Sequence, residues 1–175
     1  MKYFKSRRSG FTIVEVVVVI TVIAILATLS TMAYRSYLNQ TDVSRIQSDL
    51  QRMNLAVEKY YAKNGSYPLS INGASSWGRR AANGPNFIAG LVPDYIATTP
   101  DVESGDKSDT GSNTYLYISN GRDYKLIRLA AAGQSIPEHE IELVPSDMRD
   151  PNRWDAPSSP LYRGWGFWSA GASTW

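Results

Sequence analysis

Phe11 to Leu29 reads FTIVEVVVVITVIAILATL. Fifteen of these nineteen residues are apolar, three are threonine and one, Glu15, is charged. A run of that length is long enough to cross a bilayer as a helix. Four basic residues, Lys2, Lys5, Arg7 and Arg8, precede it. Basic flanks stay on the cytoplasmic side, so the N-terminus is expected inside and the residues beyond about Arg35 outside. A secretory signal peptide and a plain single-pass anchor are the competing readings. The first has a shorter apolar core, about 7 to 15 residues, although the small residues among Ala27 to Ala33 imitate its cleavage site.

Working outward, the 175 residues are 43% hydrophobic and 19% charged, which allows one membrane segment and a single small domain and excludes a multidomain enzyme. The formal charge is +2 from 18 bases and 16 acids. Removing the first ten residues leaves 14 bases against 16 acids, so the basicity belongs to a short leader. The rest has no global attraction for nucleic acid. The absence of cysteine excludes disulfides, thiolate metal sites and a cysteine nucleophile. A single histidine, His139, leaves little for acid/base catalysis.

Glu15 is the informative residue. A carboxylate in an apolar membrane segment costs roughly 2.5 to 3.5 kcal/mol on insertion scales, so compensation is expected. Cleavage after Gly10 would create it, because the new α-amino group of Phe11 is a cation suited to Glu15 of a neighbouring, axially shifted copy. Such a pair neutralises both charges and sets the stagger between helices. Gly10 offers a protease a residue without a side chain at the scissile bond, followed by the bulky Phe11.

A basic leader, then Gly10, Phe11, Thr12, Ile13, Val14, Glu15 and a long apolar run, resembles the type IV pilin superfamily. The resemblance covers roughly residues 1 to 68, ending with Tyr60, Tyr61, Asn64, Gly65, Tyr67 and Pro68. It implies cleavage between Gly10 and Phe11 by a membrane-embedded prepilin peptidase, methylation of the Phe11 amine, and a role for Glu15 in subunit recruitment and assembly. Cell adhesion, twitching motility and DNA uptake are uses that the resemblance brings with it, and these residues do not choose among them. The chain departs from the pattern where many pilins carry a helix-breaking glycine and proline: it has Ala24 and Met32. A proline kink is therefore not available. The β-branched run Val16 to Ile23 and the hydroxyls of Thr28, Ser30 and Thr31 remain as local weak points. The C-terminal disulfide of many Gram-negative pilins is impossible here.

Val43, Ile46, Leu50, Met53, Val57 and Tyr60 recur at spacings of 3 and 4, one apolar helical stripe. Nothing between Tyr34 and Asn39 stops the first helix, so one helix from Phe11 to about Ala62 is expected, about 78 Å long at 1.5 Å per residue. Asn64 and Gly65 cap it and Pro68 bars continuation. Three heptads without further repeat favour packing on the chain's own sheet over a free coiled coil. Residues 64 to 114 read as a connecting loop with an apolar island at Phe87 to Ile96. Its wording LVPDYIATTP resembles a pseudopilin segment before the first strand. Thr114 to Ser119, the turn Asn120-Gly121 and Arg122 to Ala130 form a hairpin of type I′. In that register Tyr115, Tyr117, Tyr124 and Leu126 share the face toward the helix, while Ile127 and Leu129 fall on the other. Glu140 to Val144 reads as a third strand, Trp165 to Ser169 as a fourth, and Pro145 to Pro160 as a loop.

Other chemistry is outweighed by blander readings. Asp101, Glu103, Asp106 and Asp109 offer Ca²⁺ oxygen ligands but lack EF-hand spacing, so a solvated loop is favoured over a metal site. His139, between Glu138 and Glu140, has no HExxH partner and reads as a surface strand histidine. Trp154, Trp165, Phe167, Trp168 and Trp175, near Arg153 and Arg163, are stacking platforms in principle, yet nine bases face twelve acids beyond Asn64. Packing over the sheet is preferred, and Arg79-Arg80 beside Trp77 reads as a solvated loop.

The expectation is an α+β fold of the type IV pilin kind, a long N-terminal helix packed on a small antiparallel sheet. Its parts are a leader (1–10), a membrane-spanning and filament-core helix (11–38), an amphipathic continuation (39–63) and a head (64–175). Its expected role is a non-enzymatic subunit without cofactor. It is anchored in the cytoplasmic membrane as a precursor and polymerises with copies of itself into an extracellular filament with the help of the peptidase and assembly machinery. The alternatives are a minor pilin or pseudopilin of a secretion or DNA-uptake machine, an anchored monomeric binding module, and an anchored hydrolase.

Overall fold

The computed structural model describes residues 10–70, 79–80, 87–100, 114–129, 135–152, 154 and 163–175. One long helix, α1 (Ile13–Asn64), comes first. It is followed by β1 (Arg79–Arg80), β2 (Thr114–Ser119), β3 (Tyr124–Leu129), a short α2 (Glu138–Leu143) and β4 (Gly164–Trp168), with 3₁₀ turns at Ser146–Met148 and Ala170–Ala172. The strands form one antiparallel sheet in the order β1-β2-β3-β4. Two compact units divide the chain, Met1–Asn39 and Gln40–Trp175.

In the first unit α1 runs through the β-branched stretch without a break. Its hydroxyls explain why they do not unravel it: Thr21 donates to the Val17 carbonyl, Thr28 to Ile25, Ser30 to Leu26 and Thr31 to Thr28, all at 2.7–2.8 Å. Each hydroxyl is thus satisfied by its own helix and demands no outside partner. The helix closes where Gly65 takes φ of 70° and its N–H donates to the Tyr61 carbonyl at 2.8 Å. That left-handed residue is costly for any side chain but glycine. Asn64 adds its amide to the Tyr60 carbonyl at 2.9 Å.

In the second unit Val43, Ile46, Leu50, Met53 and Val57 of α1 are buried in one cluster with Tyr115, Tyr117, Tyr124, Leu126 and Trp165 of the sheet, and Tyr60 packs against it. Phe87, Ile88 and Leu91 from the apolar island belong to the same core. Residues on the other side of the sheet, Leu116, Ile118, Ile127 and Leu129, form a smaller cluster under Trp168 and Trp175. That cover accounts for β3 being buried along its whole length. The tight β3–β4 approach depends on Gly166, where a Cβ would fall 2.2 Å from the Leu126 carbonyl oxygen.

Several sequence expectations need correction. The hairpin turn is four residues, Asn120 to Asp123, because Ser119 pairs with Tyr124. The Asn120 side-chain oxygen accepts from the N–H groups of Arg122 and Asp123, and the Asn120 N–H donates to the Asp123 carbonyl, which closes the longer loop. Lengthening a turn by two residues preserves side-chain parity, so the tyrosines keep the expected face. Glu140 to Val144 is not a strand: α2 occupies that stretch, and His139 is a half-buried helix residue. Ile136, Glu140 and Val144, all buried, recur every fourth residue, and that period overrides the short alternation. Arg79-Arg80 is an edge strand paired with Leu116 and Tyr117, not a loop. Within 145–160, Arg149 bridges to Trp165 and Asp150 is fully buried, so that stretch is partly structured. Asp101, Glu103, Asp106 and Asp109 lie outside the described residues.

Candidate functional site

Gly10 and Phe11 precede the first turn of α1 and are exposed, Phe11 to 88%. A Cβ added to Gly10 would meet nothing within 4 Å, so its place here is not dictated by packing. The next residue shapes the helix start. Thr12 N–H and Oγ1 donate to Glu15 Oε2 at 2.8 and 2.7 Å, and Glu15 N–H donates back to Thr12 Oγ1 at 3.2 Å. This is a reciprocal capping box, which satisfies two of the donors that a helix start otherwise leaves open. The expectation that Glu15 needs a partner from another chain overlooked it. The signal was present, since Thr12-Ile-Val-Glu15 ahead of an apolar run is the capping-box pattern. Both bonds fall on Oε2; among the described residues Oε1 accepts no hydrogen bond.

Beyond the cap, every residue from 11 to 38 is exposed, large apolar side chains included. An 18-residue window reaches a mean hydropathy of 2.7, long and apolar enough to cross a membrane. An apolar patch this large is uncommon on a soluble monomer and marks a surface made for lipid or for another protein.

The other sequence-chosen residues are seated by polar contacts as well as by apolar ones. Tyr115 donates to Asp49 Oδ2 at 3.1 Å, and Tyr117 to the Pro68 carbonyl at 2.9 Å. The Tyr124 hydroxyl lies 2.6 Å from Asn54 Oδ1 and 2.9 Å from Glu58 Oε1. One phenolic proton serves one acceptor, so turning the Asn54 amide over would let it donate to the phenol while the phenol donates to Glu58. Burial, then the facing carboxylate, pushes the Tyr115 and Tyr124 phenols well above their ordinary value of 10, and burial does the same for Tyr117. Asp49, Asn54 and Glu58 were not among the sequence-chosen residues, because polar positions flanking an apolar stripe look like solvated ones.

Two buried ion pairs were also missed. Lys125 Nζ donates to both Asp150 oxygens at 3.0 and 3.2 Å and to the Trp175 carbonyl at 2.7 Å. Arg128 donates to Glu140 Oε1 at 3.0 Å while Trp165 Nε1 donates to Oε2 at 3.0 Å. Each partner lies at least twelve residues away in the chain, so local spacing carries no trace of the pairing. The first ties β3 to the C-terminal residues and the second ties α2 to the sheet.

Residues 5–31 match the family described as the prokaryotic N-terminal methylation motif. The N-terminal segment is that of a type IV pilin-like prepilin. The match contains Gly10, Phe11, Thr12 and Glu15, so the capping box falls inside the prepilin motif. A motif of this kind implies handling by a prepilin peptidase and an assembly machinery, and it fits a membrane-anchored precursor. Neither a curated protein nor a solved structure matches the chain. The prepilin-like segment therefore rests on the motif and the geometry around it.

Proposed function

We propose that this chain is a structural subunit that is cut between Gly10 and Phe11, methylated on Phe11 and polymerised through residues 11–38 into an extracellular type IV pilus filament. The observation that carries the reading is a prepilin motif at the head of an apolar helix surface that the chain itself leaves exposed. Thr12 holds one oxygen of Glu15 and leaves Oε1 for a cation. Cleavage leaves the Thr12 N–H in its peptide bond, so the cap survives processing while a new ammonium appears one residue earlier. A neighbouring copy shifted along the axis brings its Phe11 amine to Oε1, and the two buried charges compensate each other. The work is mechanical, holding subunits together, and calls for no catalytic residue or cofactor.

Glu15→Ala as the only copy of the chain tests the charge pair. In a plain anchor the change relieves an insertion penalty and is harmless or favourable. In a polymer it strands the neighbour's amine, so the protein inserts, is cleaved and accumulates in the membrane while filaments are lost. Normal filaments built mainly of Glu15→Ala subunits would contradict the charge pair.

A further inference from the structure

Asn120 and Gly121 sit at the exposed end of the β2–β3 hairpin, where the turn gathers main-chain groups around one side-chain amide. Asn120 Oδ1 accepts from the N–H groups of Arg122 at 2.9 Å and of Asp123 at 2.7 Å. A bond of this Asx type folds the side chain back over the following peptide, which turns Cγ toward the Gly121 nitrogen. Gly121 has φ of 87° and no side chain of its own to shield that nitrogen. Its N–H donates to Ser119 Oγ at 3.0 Å, a single side-chain acceptor that one χ1 rotation removes. Asn120 is exposed, and among the described residues its Nδ2 donates to no partner.

The same dipeptide at Asn64-Gly65 is held differently. There Nδ2 donates to the Tyr60 carbonyl at 2.9 Å and to the Tyr95 hydroxyl at 3.0 Å, and the Gly65 N–H donates to the Tyr61 carbonyl at 2.8 Å. The Gly65 bond belongs to the helix stop itself and breaks only with it. Among the described residues no N–H reaches Asn64 Oδ1. Two further pairs, Asn72-Gly73 and Asn83-Gly84, lie outside the described residues.

We propose that Asn120 is a site of spontaneous covalent modification, at which the turn promotes attack of the Gly121 nitrogen on Asn120 Cγ. The N–Cγ bond forms and the Cγ–Nδ2 bond breaks; the Gly121 nitrogen gives its proton to solvent, and Nδ2 takes one from solvent and leaves as ammonia. Water then opens the cyclic imide at either carbonyl, giving aspartate or isoaspartate, so water is the only other reactant. Negative charge develops on Oδ1 during the attack. The N–H groups of Arg122 and Asp123 already point at that oxygen, as the donors of an oxyanion hole do. Isoaspartate routes the main chain through Cβ and Cγ and lengthens the turn that joins β2 to β3. The Gly121 carbonyl accepts from the Tyr67 N–H at 2.8 Å, so this product loosens the tie between the hairpin and the chain leaving α1. The inference stands independently of the polymer reading.

The test uses the full chain, held in detergent at neutral pH and sampled over weeks by peptide mass spectrometry that resolves Asn64 from Asn120 and aspartate from isoaspartate. Folded protein should gain the acid at Asn120 about tenfold or more faster than at Asn64. The gain at Asn120 should also be faster in the folded chain than in the same chain unfolded in guanidinium chloride, where the rates at the two positions should converge. Asn120→Gln, whose longer side chain must close a larger ring, should remove the gain from that position. Slower gain at Asn120 in the folded chain than in the denatured one would mean that the turn protects its amide, and would overturn the proposal. Equal rates at Asn64 and Asn120 in the folded chain, or an unchanged gain in Asn120→Gln, would overturn it as well.

Discussion

The two stretches of α1 solve different problems with the same secondary structure. From 43 to 60 the apolar residues recur at helical spacing, and the chain covers them itself: Leu50, Met53 and Val57 have no exposed surface, and the flanking Asp49, Asn54 and Glu58 meet tyrosine hydroxyls of the sheet. From 16 to 29 every residue but Thr21 and Thr28 is apolar, and no other described residue covers any of them. A one-sided stripe asks for a partner on one side, and a folded domain supplies it. An apolar surface on every side asks for surroundings on every side, which lipid or another protein provides. The contrast places folding information in one stretch and, in the other, the surface proposed for assembly.

The largest expected effect comes from placing the same charge in each stretch. Leu50→Asp buries an unpaired carboxylate in a packed core and should cost roughly 4 kcal/mol or more, enough to abolish the cooperative melt of the second unit. Leu26→Asp should leave that melt unchanged and instead impair insertion, by roughly 2.5 to 3.5 kcal/mol on insertion scales. Calorimetry and membrane fractionation of the two variants separate these outcomes, and a shared phenotype would break the contrast.

Alkali should discriminate more gently. The phenols of Tyr115, Tyr117 and Tyr124 are raised above 10 in the folded state, chiefly by burial. An unfolded chain ionises its tyrosines near pH 10. Stabilisation from keeping them neutral is therefore complete below pH 10 and declines as pH rises above it. Circular dichroism melts from pH 8 to 12 should show falling stability from about pH 10, and Tyr115→Phe with Tyr124→Phe should flatten that fall. An unchanged pH profile in the double variant would remove the tyrosines from the account.

The smallest effect is expected at the cap. Thr12→Ala should cost about 1 kcal/mol of local helix stability. Amide exchange should quicken in the first turn, at Ile13 to Glu15, and the melt of the second unit should stay where it is. Exchange unchanged at those amides would mean that the capping box contributes nothing.

Much of this was legible in the sequence because period and composition are local. The stripe from Val43 to Tyr60, the Asn64-Gly65 stop and the inward tyrosines follow from spacing alone. The hairpin kept its faces despite the wrong turn length, since two added residues leave parity intact. What stayed hidden was long-range or competing. The Lys125–Asp150 and Arg128–Glu140 pairs join residues with no sequence relation to each other. α2 was misread because Glu140 and Glu142 mimic outward strand positions while Glu140 in fact turns inward. At the candidate site, Gly10, Phe11 and Glu15 stood out, and Thr12 did not, because one hydroxyl residue before an apolar run draws no attention unless the helix start is placed first.

The polymer reading meets its most direct test in the filaments themselves. Surface filaments sheared from cells that make this chain, purified and analysed by intact and N-terminal mass spectrometry, should contain it as a main component, beginning at Phe11 and carrying a methyl group on that amine. Filaments without the chain, or chain that stays in the membrane with Met1 intact, would contradict the account.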